Sequence, residues 1–524
     1  MSRARTILRN VASNWAGFAV NAAVTLVLTP VVLRHLGPAG YGIWVLSSSI
    51  IGYYGLLDLG FRAGVTQYLT RYLAAGDHEK ASECISTAVV ALAGLGFVLL
   101  ALSVGAAYLA PRIFQLPADL EREAFWTILI VGGSAAIQFS LQPFSAVFTA
   151  TQRFDLANLI GVTTRLVTAG LVVVALWLGY GLIGISAATC IVSLVDYVLR
   201  WRVSRWLAPR LSVSFNMATV ARLREIAAFG AWNFLISINT YVYQYVPSLL
   251  IGTLMPIAAV GYFALAASLS RQVNSVLAPI GQVIYPAAVD LHVQGDRDRL
   301  ERLYHDGSRL TMLAMIPVVL LGMFWAQDFY RLWVGPGYVE NSPYGSVAVI
   351  FQILLLSTFT SFSNIAGQIL MGAGQIRLVA IALVSGSVLA LSLSLGLVEK
   401  HGLFGVAVAF VIASVLVDLL ALPLLLQRVL GLSVTGFLRR ACLRPVTVAV
   451  AQVVLILGVK SIGSVKDWMD LILQGLLAGS SCLVVVMFIG ITAEERQRLL
   501  LQPIRSLFRK MFSDLRVWRG VRRS

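Results

Sequence analysis

Two arginines lie near the middle of long apolar segments, and their chemistry indicates a binding site for an anion. Arg165 and Arg271 have no acidic residue within a helical turn of either position. A third arginine, Arg62, follows Asp58 by four residues, which places both side chains on one face of a helix. A guanidinium keeps its proton and can bind two oxygens of a phosphate. The pattern predicts a cationic cavity for an anionic substrate; the alternative is arginines that pair with acids between helices, as Asp58 could with Arg62.

Neutral amides occur in the same apolar segments, and we predict that some line the cavity. An amide can hydrogen-bond to sugar hydroxyls without the cost of a buried charge. For any single amide the alternative is a hydrogen bond between two helices. Asn21 and Asn239 are the leading candidates. The wider set is Asn14, Gln67, Asn233, Gln272, Asn274, Asn364 and Gln368.

Two short motifs resemble enzyme sites, but their contexts favour structural roles. The glycines of 179–184 match GxGxxG, yet no strand or ribose-binding acid accompanies them, and a tight turn between helices is expected. Asp296 and Asp298 form a DxD within an alternating-charge stretch typical of a solvated helix face. The four cysteines form no CxxC and the five histidines show no ligand spacing. We expect no catalytic residue, metal or cofactor, and a coupling proton or sodium ion is left open.

The composition indicates which elements position these residues. Of the 524 residues, 58% are hydrophobic and 12% charged, and the mean hydropathy is +0.83. A soluble protein averages about 25% charged residues. The net charge of +16 could suggest nucleic acid, but DNA-binding domains are polar. A basic balance on an apolar chain is typical of cytoplasmic loops and tails of membrane proteins. The sequence predicts an all-α, multi-pass membrane protein with no nucleic-acid partner.

Fourteen apolar segments are long enough to cross a bilayer core of about 30 Å. The predicted spans are 11–33, 41–62, 84–109, 125–150, 154–178, 181–200, 226–252, 258–287, 308–328, 346–371, 377–398, 402–426, 445–462 and 469–490. With the N-terminus inside, 31 of the 40 basic residues fall in cytoplasmic segments and 7 in external ones. The positive-inside rule favours this orientation, with both termini cytoplasmic.

The first and second groups of six spans repeat each other. Seven matches occur in one order at offsets of 217–223, among them Gly40-Tyr41 with Gly261-Tyr262 and Gly76-Asp77 with Gly295-Asp296. Because six is even, both copies keep the same orientation. This predicts two lobes related by a pseudo-two-fold axis along the membrane normal, with a cavity between them. The predicted organisation is an N-lobe at 1–205, a cytoplasmic linker at 206–225, a C-lobe at 226–428, spans thirteen and fourteen at 429–491, and a basic tail at 492–524.

The tail carries nine basic and three acidic residues with large apolar side chains between them. This pattern predicts an amphipathic helix on the anionic lipids of the inner leaflet. The alternative is a basic tail that serves only to fix the orientation.

Two sequence patterns near the N-terminus resemble those of a known family. The run from Asn14 to Trp44 contains LGPAGYGIW, and LDLGF follows at 57–61. Together they resemble polysaccharide flippases, which are Wzx-type transporters of the multidrug/oligosaccharidyl-lipid/polysaccharide exporter superfamily. The span count and the repeat extend the resemblance over the whole chain. The multidrug branch usually carries an acid in span one, which here contains Asn14 and Asn21 but no carboxylate.

The resemblance implies a bacterial inner-membrane protein that moves an undecaprenyl-diphosphate-linked oligosaccharide to the outer leaflet by alternating access. It implies that Arg62, Arg165 and Arg271 occupy positions suited to the diphosphate, and that polymerase or other assembly proteins are partners. One alternative is a drug or metabolite antiporter of the same fold. Another is a membrane-embedded glycan polymerase or ligase, although no external loop rich in Arg, His or Glu is present. A scaffold within an assembly complex is a further alternative.

Overall fold

The computed structural model describes residues 3–58, 60–275, 278–360 and 364–497, with the backbone alone at 3–14, 228–233, 278–282 and 435. Regular structure in this part of the chain is helical, with no strand. The α-helices are α1 Arg3–Gly52, α2 Phe61–Ala74, α3 His78–Ile113, α4 Glu121–Leu141, α5 Phe144–Ala150, α6 Phe154–Trp177, α7 Gly181–Leu207, α8 Val220–Leu254, α9 Ile257–Ser275, α10 Ala278–Val293, α11 Arg297–Trp333, α12 Val347–Thr360, α13 Asn364–Gly372, α14 Ile376–Val415, α15 Leu422–Leu430, α16 Val434–Phe437, α17 Leu443–Lys460, α18 Trp468–Val485 and α19 Ala493–Arg496.

Ten helical stretches among the described residues are long and apolar enough to cross a membrane. They also expose large apolar side chains, as on α18, where Leu473, Leu476 and Leu483 are each more than half exposed. A surface of this kind is stable in hydrocarbon and unstable in water. The all-α membrane fold predicted from composition is confirmed. The count of fourteen spans stays a prediction, because α8, α9 and α10 border or contain residues outside the described set.

Two of the ten stretches are each divided by a glycine. Gly37 in α1 has φ 67° and ψ 178°, and Gly402 in α14 has φ 55° and ψ −134°. Both are backbone conformations that residues with a Cβ rarely adopt. Gly37 separates the predicted spans one and two, and Gly402 separates spans eleven and twelve. The chain therefore turns at both positions although hydrogen-bonded helix continues on each side.

The described chain forms two compact units. The first unit comprises Met1–Gln272, Trp333–Leu354 and Gln375–Val417, and the second comprises Val273–Leu332, Leu355–Gly374 and Asp418–Ser524. A core in the first unit packs α2 to α5 and the start of α8 around Leu69, Leu92 and Leu99. One core of the second unit packs α11, α17 and α18 around Trp325, Ile456 and Cys482. The lobe boundaries predicted from the repeat stay a prediction.

The predicted repeat recurs in the local backbone. Gly76 and Gly295 have φ values of 73° and 68°, and the next residue in each copy caps a helix. Asp77 accepts a hydrogen bond from the backbone N–H of Lys80 at 3.0 Å, and Asp296 does so from Arg299 at 3.0 Å. Both Asp residues also pair with the side chain of that basic residue. The same turn and cap therefore begin α3 and α11.

Two glycines, one from each copy of the repeat, meet inside the first unit. A Cβ on Gly42 would collide with the carbonyl oxygen of Ile257, and a Cβ on Gly261 would lie 2.6 Å from that of Pro38. Small residues allow backbones to approach this closely. The crossing also fixes the position of Tyr41, which lies beside Gly42 in the sequence.

The predicted amphipathic tail lies mostly outside the described residues. Its first part is described as far as residue 497 and contains a capping box, in which Thr492 and Glu495 satisfy each other's backbone N–H groups. Glu495 also pairs with the buried side chain of Arg309. This contact anchors the start of the tail to α11 within the second unit.

Candidate substrate-binding site

A cavity of about 350 Å³ in the first unit contains two of the predicted site residues. α1 and α6 form its walls, and α7 contributes one arginine. Asn21 lines it from α1, and Arg165 and Asn158 line it from α6. The other lining residues are Gly17, Phe18, Val20, Ala157, Gly161, Val162 and Arg200. The structure thus brings Asn21 and Arg165 to one cavity, and their role in substrate binding stays a prediction.

The charges around this cavity are partly balanced. Asp196 forms a 2.6 Å ion pair with Arg200 and accepts a hydrogen bond from Thr164 at 3.0 Å. Arg165 is exposed, and its Nη2 donates to Thr25 Oγ1 at 3.5 Å. Among the described residues no carboxylate pairs with Arg165. The cavity therefore holds two guanidinium groups and only one of them has an acidic partner.

Arg62 is held by an amide and by the start of its own helix. The backbone N–H of Arg62 donates to Asp58 Oδ1 at 3.1 Å, so that Asp58 caps α2. The side-chain amide of Gln142 is assigned with its oxygen toward Arg62, because that orientation satisfies both groups. The oxygen then accepts from Arg62 Nε at 3.0 Å and from Nη2. The side-chain ion pair with Asp58, the alternative role for Arg62, is absent from the described residues.

Arg271, the third predicted arginine, lies among tyrosines. Its side chain is exposed on α9 and interacts electrostatically with the phenol groups of Tyr41 and Tyr245. No carboxylate of the described chain forms an ion pair with it. A central arginine costs about 2.5–3.5 kcal/mol on insertion scales when it faces hydrocarbon. Because Arg271 lies in predicted span eight, we expect its side chain to face water or substrate and not lipid.

The tyrosines form a row that extends from Arg271 toward Arg62. The ring of Tyr245 is 5.9 Å from that of Tyr53 and 5.9 Å from that of Tyr241, against which it is stacked. Tyr241 interacts electrostatically with Asp58 and Arg62. Aromatic rings with a hydroxyl offer an apolar face and a hydrogen-bonding edge together. We call Tyr53, Tyr241 and Tyr245 the tyrosine row; it was not predicted from the sequence.

Asn239, the remaining predicted site residue, is engaged between helices. Its Oδ1 accepts a hydrogen bond from Ser387 Oγ at 2.8 Å, which joins α8 to α14. This is the contact expected of an amide that holds two helices together. The side chains of Asn14 and Asn233 lie outside the described residues.

The two enzyme-like motifs adopt structural roles. Gly179 and Gly181 have φ values of 78° and 54° and form the turn between α6 and α7. Asp296 of the DxD caps α11 and pairs with Arg299 at 3.2 Å. Within the described residues no group of three or more His, Cys, Asp or Glu could hold a metal ion.

The arginines break the internal symmetry of the chain. At the repeat offset of 221, the position equivalent to Arg271 is Ile50 and that equivalent to Arg165 is Gly386. The capping aspartates and turn glycines recur in both copies, whereas these cations do not. Features shared by the two copies support the fold, whereas Arg165 and Arg271 each occur in one copy only.

A comparison of the sequence with models of protein families identifies one family. The family model described as polysaccharide biosynthesis protein matches residues 7–292, which is more than half of the chain. The chain belongs to the polysaccharide biosynthesis protein family. The resemblance to Wzx-type flippases, based on the glycine motifs, is confirmed.

Two curated relatives match most of the chain. The "Uncharacterized membrane protein EpsK" of Bacillus subtilis (strain 168) is 22% identical over 500 residues, covering 95% of this chain and 97% of the relative. The "Putative O-antigen transporter" of Shigella flexneri is 22% identical over 428 residues, covering 81% of this chain and 98% of the relative. The chain is similar to these two proteins over nearly their full length.

Solved structures show the same fold. The lipid II flippase MurJ in an inward closed conformation has a TM-score of 0.65 at 15% identity and covers 89% of this chain and 98% of its own. An inward-facing multidrug resistance transporter of the MATE family and MOP superfamily has a TM-score of 0.65 at 16% identity, with coverage of 78% and 94%. The protein is a multi-pass membrane protein with the fold of these transporters.

Proposed function

We propose that the protein moves a lipid-diphosphate-linked oligosaccharide across the bacterial inner membrane for the assembly of a surface polysaccharide. The observation that carries the proposal is the pair of exposed arginines without acidic partners, Arg165 and Arg271. Arg165 lies on α6, which is long and apolar enough to cross a membrane, and Arg271 lies in predicted span eight. An unpaired cation has a cost at such positions, which favours a role in binding. Family membership supports a role in polysaccharide synthesis.

Binding a diphosphate within a membrane requires positive charge on the protein. The diphosphate carries negative charge that loses hydration, and a fixed positive charge offsets part of that cost. Arginine binds two oxygens through a planar fork, which a lysine cannot reproduce. We propose that Arg271 contacts the diphosphate and that Arg165 supplies a second cationic contact when the protein changes between inward- and outward-open states.

The tyrosine row suits the sugar portion of the same substrate. Its rings present flat faces to the apolar faces of sugar rings, and its hydroxyls can donate to sugar oxygens. The row starts beside Arg271, so a glycan joined to a diphosphate at Arg271 would continue along Tyr245 and Tyr241. Diphosphate and sugar are therefore recognised on one continuous surface of the first unit.

The same fold occurs in drug transporters, and the charges distinguish the two functions. Most substrates of a drug antiporter of this kind would be cationic, and the exposed arginines would repel them. Span one offers Asn21 where an antiporter would need an acid. We propose a transporter rather than a polymerase or ligase, working with glycan assembly enzymes as partners.

Replacement of Arg271 by alanine tests the proposal. We expect the Arg271→Ala variant to lose export of the lipid-linked glycan by about ten- to a hundredfold, because a hydrogen bond to a charged group contributes about 1.5–3 kcal/mol. Arg271→Lys should keep part of the activity, since the charge survives without the fork. The measurement is glycan export in cells at matched protein levels.

The matched control is Arg122→Ala, an exposed arginine at the start of α4 with no ion pair among the described residues. It should export normally. Normal export by Arg271→Ala would contradict the proposal and leave Arg271 a packing residue.

A further inference from the structure

The segment between α7 and α8, residues 208–219, is bound to the surface of α3. Three of its backbone N–H groups donate to buried hydroxyls of α3. Ser212 donates to Ser82 at 3.1 Å and Ser214 to Ser86 at 3.2 Å. Thr219 N–H donates to Thr87 Oγ1 at 3.1 Å. We call residues 208–219 the linker; its position is fixed by these bonds.

A cavity of about 510 Å³ opens between the linker and α7. Two arginines, Arg205 and Arg210, and two serines, Ser204 and Ser212, give it a polar side. The opposite side is apolar and is formed by Ile85, Phe144, Val147 and Trp201 together with linker residues. No acidic residue lines it. A second cavity of about 500 Å³ shares Ala208 to Leu211 with it and reaches His78.

The two arginines of this cavity are available to an anion. The guanidinium of Arg205 lies 5.7 Å from the ring centre of Trp201, and Arg210 Nη1 lies 3.5 Å from His78 Nε2. Neither forms an ion pair with a carboxylate of the described chain, and both are exposed. By contrast, Arg222 at the end of the linker is paired with Glu83 and Glu225. Arg205 and Arg210 are therefore the cations without an acidic partner that line the cavity.

Large apolar side chains are exposed beside these arginines. Trp206 is 67% exposed, Phe215 is 78% exposed and Val220 is 72% exposed. Tryptophan and phenylalanine next to basic residues are typical of segments at a membrane interface. The basic stretch from Arg200 to Arg224 is also predicted to be cytoplasmic, where the leaflet carries anionic lipids.

We propose that this cavity binds the head group of an anionic phospholipid. Arg205 and Arg210 contact the phosphate, and the acyl chains lie along the exposed face of Trp206. The apolar wall excludes water around the contact, which strengthens it. The lipid would bridge the end of α7 to the linker, and would add to the three hydrogen bonds that hold the linker on α3.

The test uses purified full-length protein in detergent. Native mass spectrometry measures the apparent Kd for the first bound phosphatidylglycerol and, separately, for phosphatidylcholine. We expect phosphatidylglycerol to bind at least about tenfold more tightly, because Arg205 and Arg210 repel the choline cation of phosphatidylcholine. The R205A/R210A variant should lose that preference, and R205K/R210K should retain part of it.

The control variant is R202A/R224A, which removes two exposed arginines of the same region that line neither cavity. It should keep the preference. The proposal is overturned if R205A/R210A keeps the preference for phosphatidylglycerol as fully as the control does. It is also overturned if both variants lose that preference to the same extent. If inorganic phosphate binds as tightly as phosphatidylglycerol, the site recognises phosphate alone and the lipid assignment is wrong. Melting midpoints without added lipid verify that each variant is folded.

Discussion

Arg165 and Arg271 lie in two surroundings that differ in how positive charge is balanced. Around Arg165 the protein supplies a second arginine, Arg200, and an acid, Asp196, that neutralises it. Around Arg271 it supplies no acid among the described residues, and the neighbours are the phenol groups of Tyr41 and Tyr245. One region is a mixed-charge cavity, and the other is a cationic and aromatic surface.

The difference indicates separate roles for the two regions. An acid next to a cation lowers the affinity of the site for an anion and fixes the geometry of the helices that carry it. A cation among aromatic rings keeps its full attraction for an anion and adds flat apolar surface. We therefore expect substrate contacts to contribute more binding free energy at Arg271 than at Arg165.

The largest effect is expected where the backbone crossing holds Tyr41 near Arg271. Gly42→Ala places a methyl group against the carbonyl oxygen of Ile257, and strain against backbone typically costs about 1–3 kcal/mol or more. We expect a lower melting midpoint and loss of export. Gly458→Ala in α17 is the control, since a Cβ there meets nothing within 4 Å. An unchanged midpoint for Gly42→Ala would mean that the crossing is looser than described.

An intermediate effect is expected from the tyrosine row. Tyr245→Ala removes a ring that stacks with Tyr241, and a stacked aromatic pair contributes about 0.5–1.5 kcal/mol beyond its area. We expect about a two- to tenfold weaker binding of the lipid-linked glycan. Tyr245→Phe keeps the ring and should change binding less. Equal loss in both variants would assign the effect to the hydroxyl instead of the ring face, as measured by binding titration in detergent.

The smallest effect is expected at the balanced region. Asp196→Asn leaves Arg200 without its ion pair, so the cavity at Arg165 gains one uncompensated positive charge. Pairs that solvent can reach are worth about 0–1 kcal/mol, which predicts up to about fivefold tighter binding of the diphosphate at low salt. The gain should disappear at high salt. Asp119→Asn, an exposed residue before α4, is the control. Weaker binding by Asp196→Asn would show that its structural role dominates.

The all-α fold could be predicted from the sequence because a membrane permits few backbone structures. Backbone groups in hydrocarbon must bond within a helix, so length and apolarity are sufficient to identify helical spans. The repeat was visible because its turns need particular residues: Gly76 and Gly295 adopt positive φ, and Asp77 and Asp296 cap the next helix. Residues with such local requirements can be recognised without knowledge of tertiary contacts.

The candidate site was predicted only in part. Arg165 and Arg271 could be singled out because charge within a predicted span is conspicuous, and Asn21 and Arg165 line one cavity. Their role in binding stays a prediction. The tyrosine row was missed because Tyr53 and the α8 tyrosines meet only in the folded chain. The spacing of Tyr241 and Tyr245, four residues apart on one helix face, was the signal that could have indicated it. Asn239 could not be assigned from the sequence, since Ser387, its partner, lies on a distant helix.

The most direct test of the central claim is translocation by the purified protein in proteoliposomes. A fluorescent lipid-diphosphate-linked oligosaccharide is supplied in one leaflet, and its appearance in the other is followed by quenching. In parallel, uptake of a small cationic dye is measured in the same vesicles. We predict movement of the lipid-linked glycan, loss of that movement in Arg271→Ala, and no dye uptake above empty vesicles. Dye uptake without movement of the lipid-linked glycan would contradict the account and identify the protein as an antiporter of cations.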